Sequence, residues 1–215
     1  MRNDKLIWAL GGESHAAPED TIPAYWGAIG AGADGLVIGV QLTADNELVC
    51  CSNLSLDKTC GDSRAVGKLE LSEIQKLDAG SQFRSVILDD DHQATDISDD
   101  TPWVRHTPND SLYHPTLSHA LLRLSRRTRV ILRLVAPQKA SRKQIAVLVS
   151  ETARALEQFG LTRSALIASE SLILSEARKQ LPETRMVLVD NPKLNVSRVA
   201  TEAVSYTHLT LPTKA

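Results

Sequence analysis

The chain has 215 residues, of which 42% are apolar and 23% charged, with a formal net charge of −2. That is the length and balance of one globular domain with a sizeable core, and it excludes a basic protein drawn broadly to nucleic acid or to anionic membrane. No apolar run approaches the ~20 residues of a membrane-spanning helix, and three cysteines (Cys50, Cys51, Cys60) provide neither a disulfide framework nor a metal-ligand spacing.

Leu6-Ile-Trp-Ala-Leu10 predicts the first strand, and Gly11-Gly12 turns the chain out over its end. The five residues before it hold no apolar signal core, so a cytoplasmic location is the expectation. Thr21 suits a helix N-cap and Pro23 a first helical turn. Ile22, Tyr25, Trp26 and Ile29 form the expected apolar face, and Gly30 and Gly32 end the helix. The next stretch, Gly32-Ala-Asp-Gly-Leu-Val-Ile-Gly-Val-Gln-Leu-Thr43, is the one around which the chain is organised. Its near-continuous apolar run (Leu36, Val37, Ile38, Val40) is that of a parallel strand covered on both faces. A polar turn at Thr43-Ala-Asp-Asn46 leads into a third strand, Glu47-Leu-Val-Cys-Cys51, where successive side chains alternate, so Cys50 and Cys51 should not share a pocket.

Residues 69–77 predict a short helix with Ser72 as an internal cap. From Leu88 to Asp110 the periodicity is lost, and seven aspartates stand against a lone Arg105. This reads as a solvated acidic lid, longer than most connections inside a domain. It lacks the Gly and Glu positions of a calcium-binding helix–loop–helix motif, and His106 and His114, which flank it, have no ligand spacing. Leu117, Leu121, Leu122 and Leu124 predict a helical stripe, and 129–135 a fourth strand. Residues 141–159 are the clearest amphipathic helix, closed by Gly160. A fifth strand at 165–168, a helix at 172–180 stopped before Pro182, a sixth strand at 185–189 and a partial helix at 197–203 follow. This alternation implies a parallel sheet with right-handed crossovers, and an open doubly wound sheet satisfies it as well as a closed barrel does.

Ala17-Pro-Glu-Asp-Thr21, the 32–43 stretch, Leu54-Ser-Leu-Asp-Lys-Thr-Cys-Gly61, Leu77-Asp-Ala-Gly80 and His114-Pro-Thr-Leu117 together resemble the glycerophosphodiester phosphodiesterase family. That family's pattern runs His-Arg-Gly, Pro-Glu-Asn-Thr, Gly-Ala-Asp-Gly-Ile-Glu-Leu-Asp-Val-Gln-Leu-Thr, then a strand ending in His-Asp. The resemblance chooses the closed (β/α)₈ TIM barrel of α/β class, usually about 250 residues. Only about six strand–helix units are readable here, which leads us to expect a barrel domain over 1–203 that lacks its last units. Val204-Ser-Tyr-Thr-His-Leu-Thr-Leu-Pro-Thr213 resembles translated sequencing adapter, so 204–215 is set aside from the fold. A six-strand arc is expected to leave open edges.

The family's chemistry, as the resemblance implies it, uses a divalent cation such as Mg²⁺ or Ca²⁺ held by carboxylates. Two histidines act as acid and base, and an Arg and a Lys bind the phosphate. The seven matching positions here are Leu10 and Gly11 (for His-Arg), Val37 and Gly39 (for Glu and Asp), Ser52 (for His), and Arg133 and Val135 (for Glu-x-Lys). None keeps the required type, and Asn53 stands for the Asp beside that second His. Val and Gly cannot hold a hard cation, which takes oxygen ligands, so no cofactor is expected. This is the pattern of a catalytically inactive barrel with a binding or regulatory role. The alternatives are a divergent phosphodiesterase with a rebuilt site using His15, Glu13 and Arg133, and a scaffold subunit recognised through its acidic lid.

An inward Arg133 must be paired or must face an anion. A structural pair with Glu13, Asp190 or a lid aspartate is the first reading, and a small phosphate-bearing ligand is the second. Arg133, Glu13, His15 and Asn53 are therefore the candidate ligand contacts. The sequence points to no nucleic acid and identifies no protein partner.

Overall fold

The computed structural model describes residues 6–83, 86–88, 94–96, 112–124, 126–163 and 166–188. Strand β1 (Trp8–Leu10) leads through helix α1 (Ile22–Gly30) to β2 (Gly35–Leu42), and a turn returns the chain as β3 (Leu48–Cys50). Short strands β4 (Ser55–Leu56) and β5 (Asp62–Ala65) flank helix α2 (Asp57–Cys60), and a 3-10 turn at Val66–Lys68 precedes α3 (Leu71–Ile74). Strands β6 (Val86–Leu88) and β7 (Ala94–Asp96) pair with each other. Helix α4 (Leu117–Leu124), β8 (Arg129–Leu134), α5 (Arg142–Gln158), β9 (Leu166–Ser169), α6 (Ser171–Gln180) and β10 (Arg185–Leu188) follow.

The main sheet has the order β1-β2-β8-β9-β10, all parallel, with β3 antiparallel to β2. Side-chain alternation sorts its two faces. Leu36, Ile38 and Val40 of β2, with Leu132, Leu134 and Ile167, pack in one cluster against Tyr25, Leu121, Leu148, Leu156 and Leu174 from α1, α4, α5 and α6. Val37, Ile131 and Val187 face the other way, joined among the described residues by Trp8. Among the described residues the four long helices therefore lie on one face of the sheet. A doubly wound sheet would carry helices on both faces, so this one-sided arrangement is that of a barrel wall, with Val37 and Ile131 in its interior.

Local chemistry explains the helix ends. Thr21 Oγ1 accepts from Ala24 N at 3.4 Å, and Pro23 stands in the first turn of α1. Gly32, at φ +91, supplies the left-handed residue that lets the chain leave. On α5 the hydroxyl of Ser141 accepts from Gln144 N (3.2 Å) and Gln144 Oε1 accepts from Ser141 N (2.9 Å), a reciprocal capping box.

Several expectations are corrected. The third predicted strand is not a further parallel unit, because a turn of Thr43–Asn46 length permits only a hairpin, whereas a parallel crossover needs a dozen residues or more. Trp26 is 38% and Leu122 71% exposed. Each directly follows a buried neighbour (Tyr25, Leu121), and one residue is about 100° around a helix. The short helix begins at Leu71 rather than 69, and its N-cap is Glu70, whose N–H donates to Glu73 Oε2 at 3.0 Å, not Ser72. Part of the aperiodic acidic segment forms the β6–β7 hairpin, and the rest lies outside the described residues, as do 197–203 and the 204–215 tail. As expected, Cys50 and Cys51 belong to separate clusters, the sheet–helix core and a smaller one around Leu56, Val66 and Ile74. Among the described residues no helix is long and apolar enough to cross a membrane.

Candidate functional site

In the parallel register Val37 lies beside Ile131 and Gly39 beside Arg133. Since Val37 faces the barrel interior, so do Gly39, Gln41, Arg133 and Val135 by alternation. Above the apolar layer of Val37 and Ile131 the interior is therefore polar, and the chain just after β3 occupies it. A Cβ at Gly39 would stand 2.5 Å from Ser52 Cα and 2.7 Å from both Cys51 O and Ser52 N. The backbone itself fills the place where a side chain at position 39 would project.

Four side chains hold this segment. Gln41 Nε2 donates to Cys51 O at 2.9 Å and to Asn53 O at 2.5 Å. Asp20 accepts from Ser52 N (2.6 Å) and Ser52 Oγ (2.9 Å). Glu19 accepts from Asn53 Nδ2 at 2.6 Å and pairs with Lys58. Arg133 Nη1 makes a long contact, 3.5 Å, to Ser52 O. The segment is thus tied to the loop after β1, to β2 and to β8 at once.

Asp20 is the centre of this arrangement. It is fully buried, takes φ +60 and also accepts from Tyr25 Oη at 3.3 Å. Asp is among the few residues that tolerate that backbone region. Burial pushes its carboxyl up from 3.8, against the charge of His114 and the hydrogen bonds from Ser52. His114 is buried below the same strand end. Its Nδ1 lies 3.0 Å from Cys50 O, which can only accept, so Nδ1 carries the proton and Nε2 accepts from Thr59 Oγ1 at 2.8 Å. Burial holds this imidazole below 6.5.

The two shifts have opposite consequences. A lowered His pKa contributes stability that is present above pH 6.5 and is lost as pH falls through the folded pKa, because the unfolded chain binds the proton first. A raised Asp pKa contributes stability that is present below 3.8 and is lost as pH rises through the folded pKa. We expect acidification from neutral pH towards pH 5 to destabilise the wild type more than His114→Gln, which keeps a donor and an acceptor without a titrating proton. Urea midpoints at several pH values measure this, and parallel pH profiles for the two proteins would refute it.

The other predicted positions are distributed as follows. Leu10 ends β1 and is 41% exposed. Gly11 takes φ +68, and a Cβ there would lie 3.4 Å from Asp20 Oδ1 and Glu19 Cβ, so an arginine at this position is strained. Gly12, at φ +94, is required by a close approach, with Ala24 C at 2.5 Å from its would-be Cβ. Val135 N donates to Val40 O, so Val135 continues the β8 ladder. Glu13 and His15 are brought together, with Oε1–Nδ1 at 3.2 Å, at side-chain exposures of 33% and 58%. The anticipated Arg133–Glu13 pair is not formed, because Glu13 turns to His15. The side chains of Asp190 and of the lid aspartates lie outside the described residues. Among the described residues no carboxylate reaches Arg133.

A divalent cation of the kind the resemblance implies does not fit these residues. Val37 and Gly39 supply no side-chain oxygen, their carbonyls accept from Gly11 N and Cys51 N, and Arg133 brings positive charge. The nearby carboxylates of Asp20 and Glu19 already accept from Ser52, Tyr25, Asn53 and Lys58. Among the described residues no three His, Cys, Asp or Glu side chains converge as a cation site. Sequence reasoning missed Asp20 and Thr59 as site residues and gave His114 no role. The available signal was Asp20 itself, an acid where the resembled pattern has Asn.

The model of the glycerophosphoryl diester phosphodiesterase family matches residues 12–143, more than half of the chain. The chain is 42% identical over 78 residues to a glycerophosphodiester phosphodiesterase of Caldanaerobacter subterraneus, covering 36% of this chain and 32% of that one. It is 38% identical over 78 residues to one of Bacillus subtilis, covering 36% and 27%. The match thus spans about a third of these curated relatives' length or less. Among solved structures it is similar to a glycerophosphodiester phosphodiesterase of Agrobacterium tumefaciens, with a TM-score of 0.64 and 24% identity over 86% of this chain and 66% of that one. It is also similar to an Oleispira antarctica phosphodiesterase held in complex with the product sn-glycerol-3-phosphate, with a TM-score of 0.66 and 19% identity over 92% and 71%. At these identities the structural likeness bears on the fold.

Proposed function

The chain belongs to the glycerophosphoryl diester phosphodiesterase family, and from that premise we propose that it is a non-catalytic barrel that binds a small phosphate-bearing ligand. Loss of hydrolysis is supported by the closure of position 39 by the Cys51–Ser52 backbone and by the lack of side-chain oxygen ligands at Val37 and Gly39. Among the described residues none at the strand ends is placed to hold a cation and move a proton together, and both are needed for phosphodiester cleavage of this kind.

Arg133 carries the binding half of the proposal. Its guanidinium faces the barrel interior, is half-buried and has one long contact to a carbonyl among the described residues. A guanidinium has five donors and prefers the fork geometry of phosphate or carboxylate. An anion entering the mouth would satisfy donors that Ser52 O leaves open. The sn-glycerol-3-phosphate in the Oleispira protein has the chemistry that would suit such a site. Titration of the full chain with sn-glycerol 3-phosphate and with sulfate tests this. Arg133→Met should weaken both at least tenfold, and equal binding by the two proteins would leave Arg133 as a packing residue.

A second reading, a rebuilt hydrolase, is favoured by one observation, the Glu13–His15 contact of 3.2 Å on the loop after β1. A carboxylate beside an imidazole is an acid–base arrangement. Both side chains remain substantially exposed, where such a pair is screened and weak. Turnover of glycerophosphocholine that falls on His15→Gln would promote this reading over the first.

A further inference from the structure

A second concavity lies at the strand ends, where Gln41 and Val135 from the barrel interior and Leu42 and Leu148 from the sheet–helix layer all line it. It has a volume of about 300 Å³ and sits between the end of β2, the 65–68 segment and the loop joining β8 to α5. That is the lower end of the range for small-molecule sites. Leu42, Ala136, Pro137 and Leu148 form apolar walls, and Lys68 and Lys139 stand at the edge from two separate elements. Arg133 does not line it.

Among the residues lining this cavity the charged ones have one sign, and Asp45, between the lining residues Ala44 and Asn46, turns its carboxylate to Thr43 and to Leu71 N. Lys139, Arg142 and Lys143 fall within five residues, Lys68 and Lys139 line the cavity from two elements, and all four are exposed. Among the described residues none of them pairs with a carboxylate, whereas Lys58, Arg64, Arg154, Arg163 and Lys179 do. The first turn of α5 holds no acid. Cations gathered this closely repel one another, and an apolar hollow between them is left in water. One solute offsets both costs, namely an anion whose apolar body fills the hollow and whose charged end meets the lysines.

We propose that this rim cavity binds a small amphiphilic anion, an alkyl or acyl chain ending in a phosphate or carboxylate, with its head group between Lys68 and Lys139. The site is separate from Arg133. It therefore stands or falls independently of the phosphate-binding proposal above.

The test uses the full chain carrying Arg133→Met, so that the barrel interior does not contribute. Hexyl phosphate and hexanoate are titrated as the two head-group arms, with hexanol as the body without charge and inorganic phosphate as the charge without body. Saturable binding of either anion, at least tenfold tighter than hexanol and inorganic phosphate, is expected. Combining Lys68→Glu with Lys139→Glu should weaken it at least tenfold, and Ala136→Phe, which fills the hollow, should do the same with the charges intact. The proposal is overturned if neither anion binds, if hexanol matches the anions, or if the doubly reversed protein binds as well as its parent.

Discussion

Gly39→Asp is expected to unfold the β2–β3 hairpin rather than restore a cation site. The new Cβ would meet Ser52 Cα at 2.5 Å and Cys51 O at 2.7 Å, and the contacting atoms are backbone, which cannot rotate away. Overpacking of this kind costs about 1–3 kcal/mol, and a carboxylate forced against a carbonyl in a buried layer adds its desolvation. A loss of roughly 3 kcal/mol or more is expected, with a fall of several degrees in the thermal midpoint. Activity should not return with Leu10→His or Val37→Glu alone, because residues that act as a unit fail as a unit. Even the combined set of Leu10→His, Gly11→Arg, Val37→Glu, Gly39→Asp, Ser52→His, Arg133→Glu and Val135→Lys must displace the Cys51–Asn53 backbone first. The measurements are thermal unfolding of Gly39→Asp and release of glycerol 3-phosphate from glycerophosphodiesters, with Mg²⁺ or Ca²⁺ and with chelator. An unchanged midpoint, or chelator-sensitive turnover by the unmodified chain, would sink the reading of a closed site.

Asp20→Ala should be nearly as damaging by the opposite route, through removal of an acceptor. Ser52 N, Ser52 Oγ and Tyr25 Oη all donate to this buried carboxylate. Without it three donors are orphaned where water has little access, and breaking a buried charged network typically costs about 3–5 kcal/mol. Alanine is also strained at φ +60, where Asp and Asn are tolerated. Asp20→Asn should therefore be milder. It keeps one acceptor oxygen but turns an amine towards one of the donors. Urea unfolding of the three proteins ranks them, and an Ala variant within 1 kcal/mol of wild type would mean that Asp20 does not hold the segment.

Much of the scaffold was legible because its signals are local. The cap at Thr21, the stop at Gly32, the continuous apolar run of β2 and the apolar stripe of α5 each lie within a short stretch of chain. The misreadings came from the same range. Adjacent apolar residues such as Tyr25 and Trp26, or Leu121 and Leu122, look equivalent in a sequence, yet a helix turns one of each pair to solvent. The direction of β3 could have been read from the four-residue turn before it, which is too short for any crossover.

The sequence by itself determined the residue types at 37, 39, 133 and 135, which are not the ones the resemblance implies for a cation-dependent hydrolase. It also determined the alternation of strands and helices. Only the tertiary structure decided what surrounds these positions. Asp20 meets Ser52 across 32 residues and Arg133 meets Ser52 across 81. No local pattern records that Ser52 packs on Gly39, or that Glu13 turns to His15 and leaves Arg133 without it. The same holds for the choice between a barrel and an open sheet, which rests on the four long helices among the described residues burying their apolar faces against one side of the sheet. Periodicity specifies that each element has an apolar face to bury, whereas the partner for that face is set by the packing of the whole chain.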